Sequence, residues 1–535
     1  MDNAMTTGQQ QVRHATHRAV PTAPPQEPDQ ASVLVGLCER IEEVTAPLPV
    51  HRTTGAPLDA RALVAEARRQ AALAGDLTGL PVLVLDDLPE NVLTGFLAAA
   101  LAGALPLVIS PSRPGESQDS VRGRVLAAGE AVGAHRIHTG GQWQNLPRPS
   151  APVSDTADPA QTAYLQFSSG SCGPPRPLRI PHRSLGLQLR LLASTFQVGD
   201  ADILGSWLPL SHDMGLIGGA LLALHLRCPL LLWSPAEFMR SPRGWVNRMA
   251  EAGVTYFPVI PAGMHVTAKA LATSGTRPPL RTVPVGADVL RAPVLRAFEE
   301  TLPGAPVDVV RPCYGLSDAT LMVTCAPAGR RWRTVPLPDG GRGPGPAALP
   351  GGSAMVSVGT PIPRHDVWIE RAGRRVGEHV IGEVKVRSAT RCAGPYGQPG
   401  PVSADTAVDT GDLGFMADGE LVFVGRGREV IRVGGEDFLP SDVEDFVVRE
   451  GYAKHGRVAA VGVTDAAAGR MVVVIEDEQA GERERRALLR TARAGGIPVS
   501  DVRFVARDQL PKTTSGKLQR LRMAAALDVG EGEPS

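Results

Sequence analysis

Five short stretches carry side chains suited to handling phosphate, sugar and carboxylate. The first, Tyr164-Leu165-Gln166-Phe167-Ser168-Ser169-Gly170-Ser171-Cys172-Gly173, is an apolar run ending in hydroxyls and glycines, with Arg176 just behind. Hydroxyls and unhindered backbone N–H groups in a tight turn are what a phosphate needs, although a Ser/Gly linker has the same composition. The Gly-Lys-Ser/Thr ending of a Walker A loop is missing. In the second, His212-Asp213-Met214-Gly215-Leu216-Ile217-Gly218-Gly219, an imidazole stands ahead of a glycine-rich wall; a lone histidine at a helix start also serves as a cap or packing group. The third, Cys313-Tyr314-Gly315-Leu316-Ser317-Asp318, gathers an aromatic face, a hydroxyl and a carboxylate after a predicted strand Val307 to Val310. That is the carboxyl end of a strand, where open α/β sheets bind ligands. A rival reading makes Ser317 the nucleophile of a hydrolase, because Gly315-Leu316-Ser317-Asp318-Ala319 differs from G-x-S-x-G only at its end. It leaves the other stretches without a role. The fourth pairs Asp412, whose carboxylate can accept two bonds from a ribose diol, with Arg426, which can donate to the same sugar or phosphate; alone, the two also read as a turn and a surface ion pair. The fifth, Leu510 to Arg520, holds Lys517 among small polar residues, and Pro511 prevents it from being a Walker A loop.

The elements that must position these groups are legible as alternation. From Val82, short apolar runs (Val82 to Leu85, Leu107 to Ile109) alternate with amphipathic ones (Asn91 to Ala102, Ser120 to Val132), and the rhythm resumes after Tyr164 with Leu230 to Trp233, Pro242 to Ala252, Tyr256 to Val259 and Val294 to Thr301. This predicts an α/β fold with a large layered N-terminal body of parallel sheets and crossover helices. Between Cys325 and Ser353 the pattern collapses into Arg, Gly and Pro, which predicts a long mobile loop. Val356 to Val358, Asp366 to Ile369 and Gly382 to Val386 then read as a small antiparallel β subdomain. A final small α/β unit has strands Val430 to Val433, Val458 to Val463 and Met471 to Ile475, with helices Pro440 to Glu450 and Glu482 to Arg493.

Composition narrows the function classes. The chain of 535 residues exceeds one ordinary core. Its 55 Lys+Arg balance 55 Asp+Glu, so nothing attracts it globally to nucleic acid. The six cysteines form no C-x-x-C pair, which predicts reduced thiols. The strongest membrane candidate, Gly95 to Ile109, is broken by Pro106 and shorter than the ~20 apolar residues of a spanning helix, so no membrane insertion is expected. Residues 1–30 carry no apolar stretch; a disordered tail and a cytoplasmic location are the expectation.

In this order from Tyr164 to Arg520, the five stretches resemble the adenylate-forming superfamily of acyl-CoA synthetases, peptide-synthetase adenylation domains and luciferases. The forms Leu-Gln-Phe-Ser-Ser-Gly-Ser and His-Asp-Met-Gly-Leu-Ile-Gly are most similar to the fatty acyl-AMP ligase branch and to the ligases that load starter acids in polyketide synthases. The Gly/Pro loop falls where that branch carries an insertion. The resemblance implies a two-step reaction: a carboxylic acid, an apolar acyl chain by preference, becomes acyl-AMP at the expense of MgATP, and the acyl group passes to the phosphopantetheine thiol of a carrier protein. Aromatic or alicyclic acids, coenzyme A as acceptor, or a weakened nucleotide- or carrier-binding homologue are the alternatives. By the same resemblance Ser168, Ser169, Gly170, Ser171, Cys172, Gly173 and Arg176 grip the β- and γ-phosphates. Cys313, Tyr314 and Gly315 face adenine with Gly286, Ala287 and Asp288 beside them. Ser317 touches the α-phosphate, Asp318 binds Mg²⁺, and Asp412 and Arg426 hold the ribose. Lys517 bridges carboxylate and α-phosphate, while His212, Gly218, Val259 and Met264 border the acyl tunnel. A body spanning 31–427 would then carry a mobile domain, 428–535, on a hinge at Arg428. Two departures stand out. The phosphate loop has Cys172, Pro174 and Pro177 where the family pattern has Thr, a variable residue and Gly, which removes a hydroxyl and backbone donors. The metal-binding Glu is Asp318, one methylene shorter.

Overall fold

The computed structural model describes residues 32–530 apart from 53–55, 111–115, 151–152, 154–157, 169–175, 339–353, 399–401, 404, 465–468 and 514–515. The tail expected at 1–30 and the loop residues Ser169 to Gly173 therefore lie outside the described residues.

A six-stranded sheet opens the body. Pro81–Val84 pairs in parallel with Leu105–Val108 and Arg136–Thr139, and Leu105–Val108 with Thr162–Phe167. Pro81–Val84 and Leu105–Val108 are buried at every position, the pattern of a parallel sheet covered on both faces. The crossovers are the helices Pro89–Leu101 and Gln118–Val132, the latter started by Ser117 accepting from the Ser120 N–H and ended by a left-handed Gly133. At one edge Thr162–Phe167 turns back antiparallel into Pro177–Pro181. Ser168 and Arg176, on either side of the serine-rich stretch, thus follow and precede the two strands of an edge hairpin.

A second layer is parallel through Pro49–His51, Leu230–Leu232 and Leu204–Ser206. Single bridges at Leu204–Tyr256, Tyr256–Thr282 and Val259–Val285 carry it on to Val283–Val285 and Val310–Gly315. The strand expected at Val307 to Val310 is displaced: Val307 is exposed, and the Pro306 carbonyl accepts from the Val309 N–H to close a turn. The ladder starts at Val310, so Cys313, Tyr314 and Gly315 lie within the strand rather than after it. The Gly/Pro segment also differs from expectation. Thr334–Pro336 pairs antiparallel with Ala354–Val356, and Val335, Leu337 and Met355 pack with Phe415, Val422 and Val424; only 339–353 between them lies outside the described residues. A five-stranded antiparallel sheet follows, its hairpin Val408–Ala417/Glu420–Arg426 closed by Asp418-Gly419, both at positive φ.

Beyond Arg428 the chain builds its own cores. The sheet Val458–Thr464, Gly469–Glu476 and Val499–Val505 alternates faces with period two. Ala460, Val473 and Ile475 pack on Val443, Val447 and Leu488 of the helices Pro440–Arg449 and Glu482–Ala494. Ala459, Val461 and Val474 face Leu510 and Leu527, which fixes the helix Arg520–Gly530 and the lysine loop leading into it. No described helix is long and apolar enough to cross a membrane.

Candidate active site

Where the second layer ends, one face of three neighbouring strands forms a wall. Tyr256 and Pro258, Pro284 and Gly286, and Cys313 and Gly315 each stand two residues apart, so all six point the same way. Opposite them, Leu192 and Phe196 of the helix His182–Phe196 and Met214 and Gly218 complete a narrow cavity with about 60 Å³ of free space. Gly218 sits in a π-helical turn, Leu216–Leu221, a local irregularity frequent at functional sites. Glycine keeps the wall tight: a Cβ on Gly286 would lie 2.6 Å from the Cys313 carbonyl, and one on Gly315 would collide with the Leu321 carbonyl.

At the mouth, Tyr314 donates to Asp412 Oδ2 at 2.7 Å. Burial, with the carboxylate of Asp412 beside it, holds this phenol well above its ordinary pKa, so it keeps its proton. Asp412 and Arg426 are directly opposed across the hairpin, with Arg426 Nε 3.9 Å from Asp412 Oδ1. Both of those atoms are buried without a hydrogen-bond partner among the described residues. An orphaned acceptor beside an orphaned donor costs roughly 1–3 kcal/mol each, and a diol spanning the two would satisfy both. Asp412 is pushed up by burial, against the pull of Arg426.

The lysine loop arrives from the other side. Thr513 organises it: its carbonyl accepts from the Gly516 N–H, its Oγ1 accepts from the Lys517 N–H, and its own N–H donates to the Lys517 carbonyl. Gly516 sits at φ +90°, a conformation that favours glycine. Arg520 locks the base of the loop, donating to both oxygens of Glu444 and to Glu429, each at 2.8 Å. Lys517 Nζ thereby reaches the Ala287 carbonyl at 3.2 Å. Burial lowers its pKa, and the Asp288 carboxylate opposes that. A second link across the same gap is Arg291, which bonds Asp442 at 3.0 Å and Asp445 at 2.7 Å.

His212 begins the short helix Asp213–Gly215. Burial lowers its pKa, Asp213 opposes and Lys517 reinforces, which favours neutral imidazole at pH 7. Ser317 donates to Asp213 Oδ2 at 2.8 Å. Its partner is a carboxylate and not an imidazole, so the geometry lacks the base that a serine nucleophile needs. Asp318 is half-buried and raised by that burial, with Arg176 and Arg391 pulling it down. Arg176 is exposed, and its backbone closes the edge hairpin against Ser168.

Cys313, Tyr314, Gly315, Gly286, Ala287 and Gly218 line one cavity, and Asp288, Arg426 and Lys517 line the adjoining cleft. Arg428 is exposed in the turn Gly427–Glu429 between body and C-terminal unit. Three expected tunnel residues, His212, Val259 and Met264, are not on the cavity wall. Val259 is one step out of phase with Tyr256 and Pro258, and Met264 faces the helical core; both pack in the cluster around Trp207 and Trp245. Sequence reasoning missed Asp213, Tyr256, Arg291 and Arg520. Asp213 and Arg520 lay inside quoted motifs, and Tyr256 two positions before Pro258 on a predicted strand, whereas nothing in the sequence linked Arg291 to Asp442.

Comparison with known proteins agrees with this geometry. Residues 107–394, more than half of the chain, match the family described as AMP-binding enzyme. A putative acyl-CoA synthetase of Caulobacter vibrioides is 27% identical over 509 residues, 87% of this chain and 88% of that protein. A long-chain-fatty-acid–AMP ligase of Mycobacterium marinum is 29% identical over 423 residues, 70% of this chain and 71% of that one. Among solved structures, a fatty acyl-adenylate ligase from a study of the E. coli and L. pneumophila proteins has the same fold, with a TM-score of 0.77, 22% identity and 93% and 98% of the two chains covered. The α/β layers, the family match and the cleft before Lys517 lead to one conclusion: this chain belongs to the AMP-binding enzyme family.

Proposed function

We propose that the chain is an ATP-dependent acyl-AMP ligase that activates a carboxylic acid with an apolar organic group and delivers it to a carrier-bound phosphopantetheine thiol. The observation that carries this reading is the reach of Lys517 to the Ala287 carbonyl, between the apolar cavity and the Tyr314–Asp412–Arg426 group. In the first step a carboxylate oxygen attacks the α-phosphorus, and the bond to pyrophosphate breaks. Two anions must be held together while charge shifts to the leaving oxygen, and a desolvated ammonium placed beforehand lowers that barrier. Lys517 supplies it, Asp412 and Arg426 take the ribose, and Ser317, oriented by Asp213, faces the α-phosphate. Ser168, Arg176 and the loop between them bear the outer phosphates.

Asp318 suits a magnesium ion held jointly with ATP. Mg²⁺ takes one or two carboxylates and completes its shell with phosphate oxygens and water, and Asp318 is a carboxylate raised by burial whose side chain forms no ion pair among the described residues. The ion would neutralise phosphate charge. In the second step the chain beyond Arg428 turns, withdrawing Lys517 and breaking the Arg291 link, so that a thiolate can attack the acyl carbon and expel AMP.

Labelled pyrophosphate should exchange into ATP only when a suitable acid is present, and Lys517→Ala should lower that exchange by about a thousandfold. Absence of exchange across fatty and aromatic acid panels, with the protein folded, refutes the proposal.

A further inference from the structure

The cavity holds one polar side chain that nothing above uses. Tyr256 is 1% exposed, stands on the cavity wall and packs edge-on against Phe196, with ring centroids 5.7 Å apart. Its hydroxyl makes no hydrogen bond to the described residues, and it is not among the sealed orphan atoms as that of Tyr164 is, so it keeps contact with the space it lines. Burial, with the Cys313 and Cys325 thiols near it, keeps the phenol protonated, so it offers a proton. A bound group that displaces solvent from this cavity without accepting from the phenol would leave it unmatched, which costs binding free energy.

Its depth is set by register. Tyr256 pairs with Thr282, five positions before Ala287, where Lys517 arrives. At about 3.3 Å per residue that is at most roughly 17 Å from reacting end to floor. Leu192, Phe196 and Met322 line the same cavity as Tyr256. The free space in the cavity is about 60 Å³, well below the ~300–1,000 Å³ of small-molecule sites, which sets a tight limit on the acid, and Tyr314 and Ala287 also line it.

We propose that Tyr256 determines specificity, and that the acid is one of limited length with an oxygen at its far end, a hydroxyl or carbonyl that accepts from the Tyr256 phenol. This rests on the ligase reading. An apolar middle suits Met214, Pro258 and Pro284, and a plain long chain leaves the phenol unmatched and meets Phe196.

The experiment compares kcat/KM in pyrophosphate exchange for two matched pairs: ω-hydroxyoctanoate with octanoate, and p-hydroxyphenylpropanoate with phenylpropanoate. In at least one pair the oxygenated acid should be favoured roughly ten- to a hundredfold. Tyr256→Phe, verified as folded by its melting curve, should bring that ratio near one. Equal or better use of both plain acids by the unaltered protein overturns the proposal without needing the variant, and leaves the ligase reading in place. A ratio that survives in Tyr256→Phe assigns the preference elsewhere and also overturns it. No exchange with any of the four acids, or with a wider panel, overturns the ligase reading and this inference together.

Discussion

Removing the Arg291 side chain should open the cleft by a calculable amount. Arg291 precedes Arg428 in the chain, whereas Asp442 and Asp445 lie on the helix Pro440–Arg449 beyond it. The side chain of Asp442 is 1% exposed and that of Asp445 34%. Truncating one partner of a buried pair costs about 3–5 kcal/mol, and the half-exposed contact adds about 0–1 kcal/mol. Asp442 can rehydrate once the parts separate, which returns some of this, so about 2–3 kcal/mol should fall on closure itself. At 1.4 kcal/mol per decade the closing constant drops roughly thirty- to a hundredfold. Exchange requires the closed form, while transfer from acyl-AMP to a thiol requires the turned one. The exchange rate divided by the transfer rate from supplied acyl-AMP therefore follows the closing constant, whichever form dominates. In Arg291→Ala that quotient should fall by the stated factor, and Asp442→Asn should behave similarly. A change below threefold would refute the assignment of Arg291 as a closing contact.

Two further outcomes follow from the same geometry. Lys517 must be protonated to bridge two anions, so kcat/KM should fall as pH rises through its pKa, with a limb below 10.5; Asp288 raises that pKa, so Asp288→Asn should move the limb to still lower pH, and a limb that stays put or moves upward contradicts the role. Gly218→Ala meets only ordinary contacts, 3.4 Å to Leu321 and 3.9 Å to Met214, so it should melt higher by up to about 1 kcal/mol of helix propensity, while losing kcat/KM for broad acids more than for slender ones.

The elements legible in the sequence were those with a local signature. Pro81–Val84 and Leu105–Val108 are apolar at every position, and Asp418-Gly419 announces the hairpin that sets Asp412 against Arg426. The lysine loop was visible as composition, but what aims it was not: Arg520 is tied to Glu429 and Glu444 across 91 and 76 positions, and no local pattern encodes such a pairing. The displaced strand at Val310 shows a β-branched run overruled by the turn at Pro306. Val335 and Leu337 alternate properly for a strand, but Arg and Pro around them hid the period. Val259 was read as lining the acid tunnel because apolarity is visible in a sequence, whereas the phase of a strand depends on a register fixed only by its neighbours.

The wide turn at Leu216–Leu221 has an evolutionary corollary. Such a turn is an ordinary helix that has accommodated one extra residue. Deleting one residue there would restore regular winding with the flanking segments still in phase, but it would remove the widened backbone at Gly218 that lines the cavity. Point substitutions at Gly218 change the wall and keep the winding; a three-nucleotide deletion changes the winding itself, and with it the shape of the space the acid must fill.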